Sequence, residues 1–382
     1  MAGRDEEYAI TQAVKKAIKS GNWQTGPETE KFERELAKAM DMEYAAMTSS
    51  GSCAGLLALA ALELPKGSEV IIPAVTFPTI FNIIPQCGLL PVVVDCEMQT
   101  NNIDLDKLEE AIGPKTKAVI AVHALGNPVD MPRLMRIAKK HKLKVIEDNC
   151  DGFGTTINGQ MAGSFGDISF TSTHAAHIIT TGVGGVVFTN SKKLMNNVRM
   201  YRDWGRQANT TRANRYEGLP ADYNPRFIYE KIGWNFQILE LQSAMGRVQL
   251  RKAKKIKKLR KQNFDWLSGY LGEMWGGHGL KFPRVIEGGS PCWFALPVRY
   301  HNRGALVKHL EANGIETRSM FSGNITKHPA YKDTDYRVGN LLNGADRILH
   351  DSFWVSVHPS LKFEDLRYMA SVFDNFFNAR TS

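Results

Sequence analysis

The 382-residue chain has no lysine between Lys144 and Lys192, although it carries 48 lysines and arginines in all. No side chain in that stretch offers a primary amine. Cysteine is scarce too. The five cysteines, Cys53, Cys87, Cys96, Cys150 and Cys292, form no C-x-x-C pair and are odd in number, so they read as reduced, mostly buried small hydrophobes. No apolar run reaches the roughly 20 residues needed to span a bilayer. The N-terminus, MAGRDEEYAI, has no apolar signal core. A cytoplasmic protein with no membrane partner is the expectation. Internal repeats, low-complexity segments and obvious flexible linkers are missing as well.

What remains is the composition of an ordinary soluble globular protein, 43% hydrophobic and 23% charged, in a chain long enough for a sizeable core and two domains. The net charge of +9 would suit nucleic acid or anionic small molecules. Much of it sits in RKAKKIKKLRKQ, from Arg251 to Gln262. Leu250, Ala253, Ile256 and Leu259 recur there every third residue, which predicts a helix with one face packed inward and its lysines in water. No aromatic interleaving accompanies the charge, so no nucleic-acid partner is expected. A diphosphate-bearing sugar would suit a basic environment.

In chain order, Ile10, Val14 and Ile18 and then Phe32, Leu36 and Met40 predict two amphipathic helices separated by Gly21 and Thr25-Gly26-Pro27. The turn Thr48 to Ala54 opens an apolar helix. Such a start can hold a phosphate through its free N–H groups and dipole, although taken alone it reads more often as only an N-cap. Short β-rich runs follow at Val70 to Ile72, Pro91 to Val94, Ala118 to Val122 and Lys144 to Ile146, with helical spacing over Pro132 to His141. That alternation predicts a mainly parallel sheet covered by helices, with ligands at the carboxyl ends of its strands. Phe77, just past one strand, reads on its own as a core residue. Asp148, just past another, reads as a metal ligand, a helix cap, a general base or the partner of a bound cation. His174 and His177, spaced i, i+3, would share a helical face and raise a zinc pair, but nothing nearby completes the set.

Taken together, Val145 to Asn190 reads VIEDNCDGFGTTINGQMAGSFGDISFTSTHAAHIITTGVGGVVFTN. Beyond it stand R-D-W-G at Arg202 to Gly205, G-x-N at Gly233 to Asn235 and T-R-x-x-F-x-G-N at Thr317 to Asn324. These motifs resemble the DegT/DnrJ/StrS-type sugar aminotransferases, whose fold is the α/β fold-type I of pyridoxal-phosphate-dependent transferases. The resemblance implies a large domain (1–250) with a mainly parallel seven-stranded sheet and a smaller C-terminal α+β domain (251–382). In that family a lysine before a T-x-G-E-G-G turn holds pyridoxal phosphate covalently. Here His177 stands at that position and Val183 replaces the glutamate of the turn. Histidine marks the branch of sugar-nucleotide 3-dehydrases that use pyridoxamine phosphate.

The resemblance further implies that Gly51 and Ser52 hold the cofactor phosphate, that Ser172 also binds the cofactor and that Phe77 stacks on the pyridine. Asp148 would pair with the ring nitrogen, Asp151 would lie near the ring hydroxyl, and Asn235 would reach the phosphate in the neighbouring subunit of a homodimer. No metal is expected. Some 3-dehydrases bind an iron–sulfur cluster through cysteines that follow R-D-W-G, whereas no cysteine lies here between Cys150 and Cys292. A thiolate cluster needs a set of cysteines, so none is expected. The implied reaction is C3 dehydration of a nucleotide-linked 4-keto-6-deoxyhexose, with L-glutamate regenerating pyridoxamine phosphate and His177 as acid and base. The alternatives are a cofactor-binding regulatory module and another pyridoxamine-dependent sugar modification. Arg202, Arg226 and Arg318 are candidate anion contacts, and the polar segment Arg202 to Ile232 is expected to form a long loop near the site.

Overall fold

A computed structural model describes residues 4–206, 218–220 and 222–381. Much of the polar segment expected to form a long loop, 207–217 and 221, lies outside these described residues. In chain order the principal strands are β1 (Tyr44–Thr48), β2 (Glu69–Pro73), β3 (Leu90–Val94), β4 (Thr116–Val122), β5 (Lys144–Asp148) and β6 (Ile168–Ser172). They continue as β7 (Gly185–Thr189), β8 (Ala295–Arg299), β9 (Thr317–Ser319), β10 (Arg337–Val338) and β11 (Ser352–Ser356). The chain divides into two compact units, one of Pro65–Gly166 with Arg251–Ser382 and one of Ala2–Leu64 with Asp167–Leu250.

In the first unit β5, β4, β2, β3 and β10 lie side by side in that order, all parallel. Their residues are almost wholly buried, as expected of strands covered on both faces. Ile71, Val92, Val119 and Val145 pack against Leu108 of helix Leu105–Ala111 and Leu134 and Ile137 of helix Met131–His141. Asp130 caps the latter helix by accepting from Arg133 N at 3.0 Å, and three basic residues fill its last turn, opposite the helix dipole. The later part of this unit has a core of its own. There β8, β11 and β9 form an antiparallel sheet in that order, and Phe353, Val355, Leu306, Leu267, Leu271 and Phe373 fill the space beside it.

In the second unit β7 pairs antiparallel with both β1 and β6. Helices Pro27–Ala39, Gly51–Ala61, Lys192–Arg202 and Glu240–Leu250 belong to this unit, whose fully buried side chains include Phe32, Met47, Phe170 and Phe188. Helix Pro27–Ala39 begins after Gly26, which has no side chain to cap it. Glu240 supplies the cap instead, accepting from the backbone N–H groups of Glu28 and Thr29 and from the Thr29 hydroxyl. Such a cap contributes about 1 kcal/mol.

The mostly parallel α/β architecture is the one expected. Beside the antiparallel sheet of β8, β11 and β9, the sheets hold five strands in the first unit and three in the second, against the seven predicted, because β10 comes from a two-residue segment with no sequence signal. Arg337 fixes it by forking onto Glu69 at 2.9 and 2.8 Å. The basic helix also differs from expectation. It runs Ala253–Trp275, and its buried face is Arg260, Asn263, Phe264, Leu267 and Leu271, while Ile256 and Leu259 are only half-buried. Lys257 is half-buried too and donates to Gly154 O at 2.7 Å.

Candidate active site

The predicted site residues fall into two groups, one in each unit. In the second unit, helix Gly51–Ala61 starts where Ser50 accepts from Cys53 N at 3.1 Å. The N-cap is therefore Ser50, which leaves Gly51 and Ser52 in the first turn, where backbone N–H groups and the helix dipole favour an anion. Bare backbone is required at this point. A Cβ on Gly51 would lie 2.7 Å from the Cβ of Ser172, and one on Gly185 would lie 2.3 Å from Ser50 O. Thr48 pairs with Gly185 and Ser172 with Gly185 across the strands, so the small residues of three segments meet at the helix start.

His177 lies in the connection that follows β6. Its N–H donates to His174 O at 3.0 Å, closing a turn rather than a helical step, so the two histidines do not share a helical face. Their ring centroids are 6.3 Å apart. His174 is exposed and its Nδ1 accepts from Ala176 N at 3.4 Å, whereas His177 is half-buried. The turn 180–185 owes its shape to threonines. Thr173 and Thr181 share a hydrogen bond of 2.6 Å, and a Cβ on Gly184 would lie 2.4 Å from one hydroxyl and 2.5 Å from the other. Val183, in place of the glutamate, is 50% exposed, and its carbonyl accepts from Thr181 Oγ1 at 3.0 Å and Gln242 Nε2 at 2.6 Å. Backbone and neutral side chains hold the turn.

The R-D-W-G and G-x-N motifs clasp one another. Trp204 N donates to Trp234 O at 2.8 Å, Trp234 N to Tyr201 O at 2.7 Å, and Asp203 pairs with Asn235 as an isolated bridge. Gly205, at φ 82°, and Gly233 are glycines for contact reasons, since a Cβ would lie 1.7 Å from Lys231 O in the first case and 2.3 Å from Gly205 N in the second. Ser49 N donates to Phe236 O at 2.9 Å, so the exposed Asn235 is tethered beside the turn that opens helix Gly51–Ala61. Arg202 is no anion contact. It is buried and saturated by Glu33, Asp203 and the carbonyl of Met47, with Glu33 at 3.1 Å. Arg226 is exposed, and Arg318 is exposed and pairs with Glu316.

In the first unit, β5 delivers Asp148 to its carboxyl end. Asp148 is 6% exposed and accepts from Cys150 N at 3.0 Å. Burial, with Asp151 nearby adding to it, pushes its carboxyl up to about 6. Glu147, one residue earlier, points the other way. It accepts from Gly163 N at 2.8 Å, from Phe165 N and Gly166 N at 2.7 Å each, and stands 3.1 Å from His123 Nε2. His123 Nδ1 accepts from Val129 N at 3.2 Å, so its ring proton lies on Nε2 and points at Glu147. Sequence reasoning missed this pair; the adjacent acids E-D were its only signal.

Phe77 is the N-cap residue of helix Pro78–Gln86 and is 58% exposed, not core. The T-R-x-x-F-x-G-N motif secures the loop that carries it. Ser322 donates to Thr76 O through both N, at 3.3 Å, and Oγ, at 2.6 Å, and Ile325 N donates to Ala74 O at 2.9 Å. Of the cysteines, only Cys96 and Cys292 are fully buried. Burial pushes the Cys96 thiol up to about 12 and those of Cys87 and Cys292 up to about 11, which leaves them unreactive. Among the described residues no group of three His, Cys, Asp or Glu is placed to hold a metal, and no helix is long and apolar enough to cross a membrane.

A helix start with glycine at its first position suits a phosphate, and a carboxyl pushed up by burial suits a cationic ring nitrogen. Fold and residues together define a protein of the pyridoxal-phosphate-dependent aminotransferase fold. The sequence matches the DegT/DnrJ/EryC1/StrS aminotransferase family over residues 4–374, and the chain belongs to that family. It is 38% identical to the lipopolysaccharide biosynthesis protein RfbH of Salmonella typhimurium, over 96% of this chain and 89% of the relative. It is 32% identical to GDP-perosamine synthase of Caulobacter vibrioides, over 76% of this chain and 75% of the relative. Its fold superimposes on a solved GDP-4-keto-6-deoxymannose-3-dehydratase with a trapped PLP-glutamate geminal diamine, with a TM-score of 0.87 and 30% identity over 95% of this chain and 97% of the other.

Proposed function

We propose that this protein catalyses C3 dehydration of a nucleotide-linked 4-keto-6-deoxyhexose with pyridoxamine phosphate, which glutamate regenerates. The observation that carries the reading is His177 at the place of the family's lysine, in a stretch with no lysine. Amination in the manner of a perosamine synthase would call for that lysine. Relatives named for 3-dehydration and the solved dehydratase holding a PLP–glutamate adduct support both the reaction and the amine donor.

When bound, pyridoxamine phosphate supplies an amine for the 4-keto group and a ring that accepts electrons. Gly51 and Ser52 would hold its phosphate, with Ser172 among the cofactor-binding residues, and Phe77 would cover the ring. Asp148 would hold the ring nitrogen through its carboxylate, with Asp151 toward the ring hydroxyl. His177 would act as the base toward the cofactor's C4′ carbon and as the acid toward the leaving C3 hydroxyl, which would depart as water. An imidazole nitrogen can accept a proton and hand it on, so one group serves both transfers. Asn235, exposed at the surface, reaches the phosphate of the neighbouring subunit in a homodimer. The division into a cofactor domain (1–250) and a small domain (251–382), a cytoplasmic location and independence of iron belong to the same reading.

The test is turnover of a panel of nucleotide-linked 4-keto-6-deoxyhexoses with glutamate, without reductase or added iron. Ammonia and a 4-keto-3,6-dideoxy sugar are the expected products. A 4-amino sugar, or turnover that requires an electron donor and follows iron content, would contradict the reading.

A further inference from the structure

Cys150 follows Asp148 by two places and serves its carboxyl twice. Its backbone N–H donates to Asp148 Oδ1 at 3.0 Å, closing an Asx turn, and its thiol donates to the same carboxyl. Composition alone reads this cysteine as a small buried hydrophobe, but in the fold it is half-buried and hydrogen-bonded.

The turn that presents the thiol is pinned at several points. Asn149 Nδ2 donates to Ala162 O at 2.9 Å, Thr155 Oγ1 to Gly126 O at 2.9 Å and Lys257 Nζ to Gly154 O at 2.7 Å. Within the turn, Gly152 N donates to Asn149 O at 3.2 Å and Thr155 N to Gly152 O at 2.8 Å. Residues 149–155 are thus tied to three other segments, which keeps the thiol beside the carboxyl.

Four influences act on Asp148. Burial and the neighbouring Asp151 disfavour its charge, while Cys150 and His123, just past β4, favour it. A lysine or arginine in place of Cys150 would hold the carboxylate in an ion pair and compete with a cationic ligand. A thiol is a weak, uncharged donor, so it supports the anion without neutralising it. That is the behaviour wanted of a group that readies a carboxylate for another partner.

We propose that Cys150 is a positioning residue for the reaction, its N–H and thiol together holding the Asp148 carboxylate as an anion aimed at the cofactor's ring nitrogen. The assignment rests on the reading that Asp148 meets that nitrogen.

The cofactor-free protein tests the thiol–carboxylate contact by itself. Titration of the Asp148 carboxyl, followed by carbon-13 NMR of aspartate-labelled protein and assigned with Asp148→Asn, should move up by about 0.5 to 1 pH unit in Cys150→Ala, the range for one neutral donor lost. Cys150→Ser keeps a donor and should restore the wild-type titration or lower it. Cys150→Val fills the space without a donor, and it carries the test should Cys150→Ala fail to fold. Pyridoxamine phosphate binding tests the consequence. Affinity in Cys150→Ala should fall by about 2- to 5-fold at pH 6 and keep its wild-type value above about pH 8. A residue that only shaped the fold would lower affinity equally at every pH. An unmoved titration in Cys150→Ala, or Cys150→Ser titrating like Cys150→Ala, would overturn the proposal and leave the cofactor reading of Asp148 standing. A moved titration without a matching move in the affinity profile would overturn both, because Asp148 would then not face the cofactor.

Discussion

Glu147 and Asp148 are adjacent carboxyls at one strand end, and their surroundings differ sharply. Glu147 faces three backbone N–H groups and an imidazole N–H, so nearly all its acceptor capacity is used inside the fold. Asp148 accepts from Cys150 N, has Asp151 beside it and is pushed up to about 6. The first arrangement is how a protein buries a charge for structure. The second leaves a carboxyl that would gain by meeting a cation, and such mismatches between burial and pairing mark candidate functional groups.

If the contrast is right, changes to residues assigned to chemistry should cost activity and spare the fold, and changes on the Glu147 side should do the reverse. The largest effect is expected for His177→Asn. Pyridoxamine phosphate should still bind, while dehydration and exchange of the C4′ proton with deuterium should both fall by about 100- to 10,000-fold. Near-normal exchange would make another residue the base, with His174 first in line.

Asp148→Asn comes next. Removing one member of a buried pair costs about 3 to 5 kcal/mol, and here the loss should appear in cofactor retention and turnover. The melting temperature of the cofactor-free variant should not fall, because a carboxyl pushed up by burial opposes folding once ionised. Unchanged cofactor affinity would remove Asp148 from the site. Glu147→Gln should instead lower stability by about 1 to 3 kcal/mol, since the amide sets its own N–H groups against some of the four donors. An unchanged denaturation midpoint would break the contrast from that side.

The pH dependence is smaller in any one step. The Asp148 carboxyl sits at about 6 in the fold, above its ordinary 3.8, so its contribution favours the cofactor-free fold below pH 3.8 and is lost as pH rises through 6. A cationic ring needs the ionised form. Cofactor affinity should therefore weaken by up to about tenfold per pH unit below 6, a dependence that Asp148→Asn should remove. Parallel profiles for the two proteins would mean that another group titrates.

Much of this was legible in the sequence because it depends on local signals. Amphipathic spacing located helices Arg4–Lys19 and Pro27–Ala39, β-branched runs located β2 to β5, and the serine-glycine turn located the start of helix Gly51–Ala61. What escaped were pairings between residues far apart in the chain. Arg202 looked like a surface anion contact because Glu33, its partner, is 169 residues away. Glu240 caps a helix 211 residues earlier, and β10 is held by Arg337 on Glu69, 268 residues apart. The lysine-rich helix misled for a related reason. Its periodicity favoured Ile256 and Leu259, whereas carbonyls of Trp293 and Phe294 let Arg260 turn inward. The histidine pair misled because i, i+3 spacing also fits a turn.

The most direct test of the central claim is borohydride reduction of the cofactor-loaded protein followed by peptide mapping. With His177 where a lysine would anchor the cofactor, all pyridoxyl material should wash away and every lysine peptide should keep its unmodified mass. A pyridoxyl group fixed to any lysine of the active site would contradict the account.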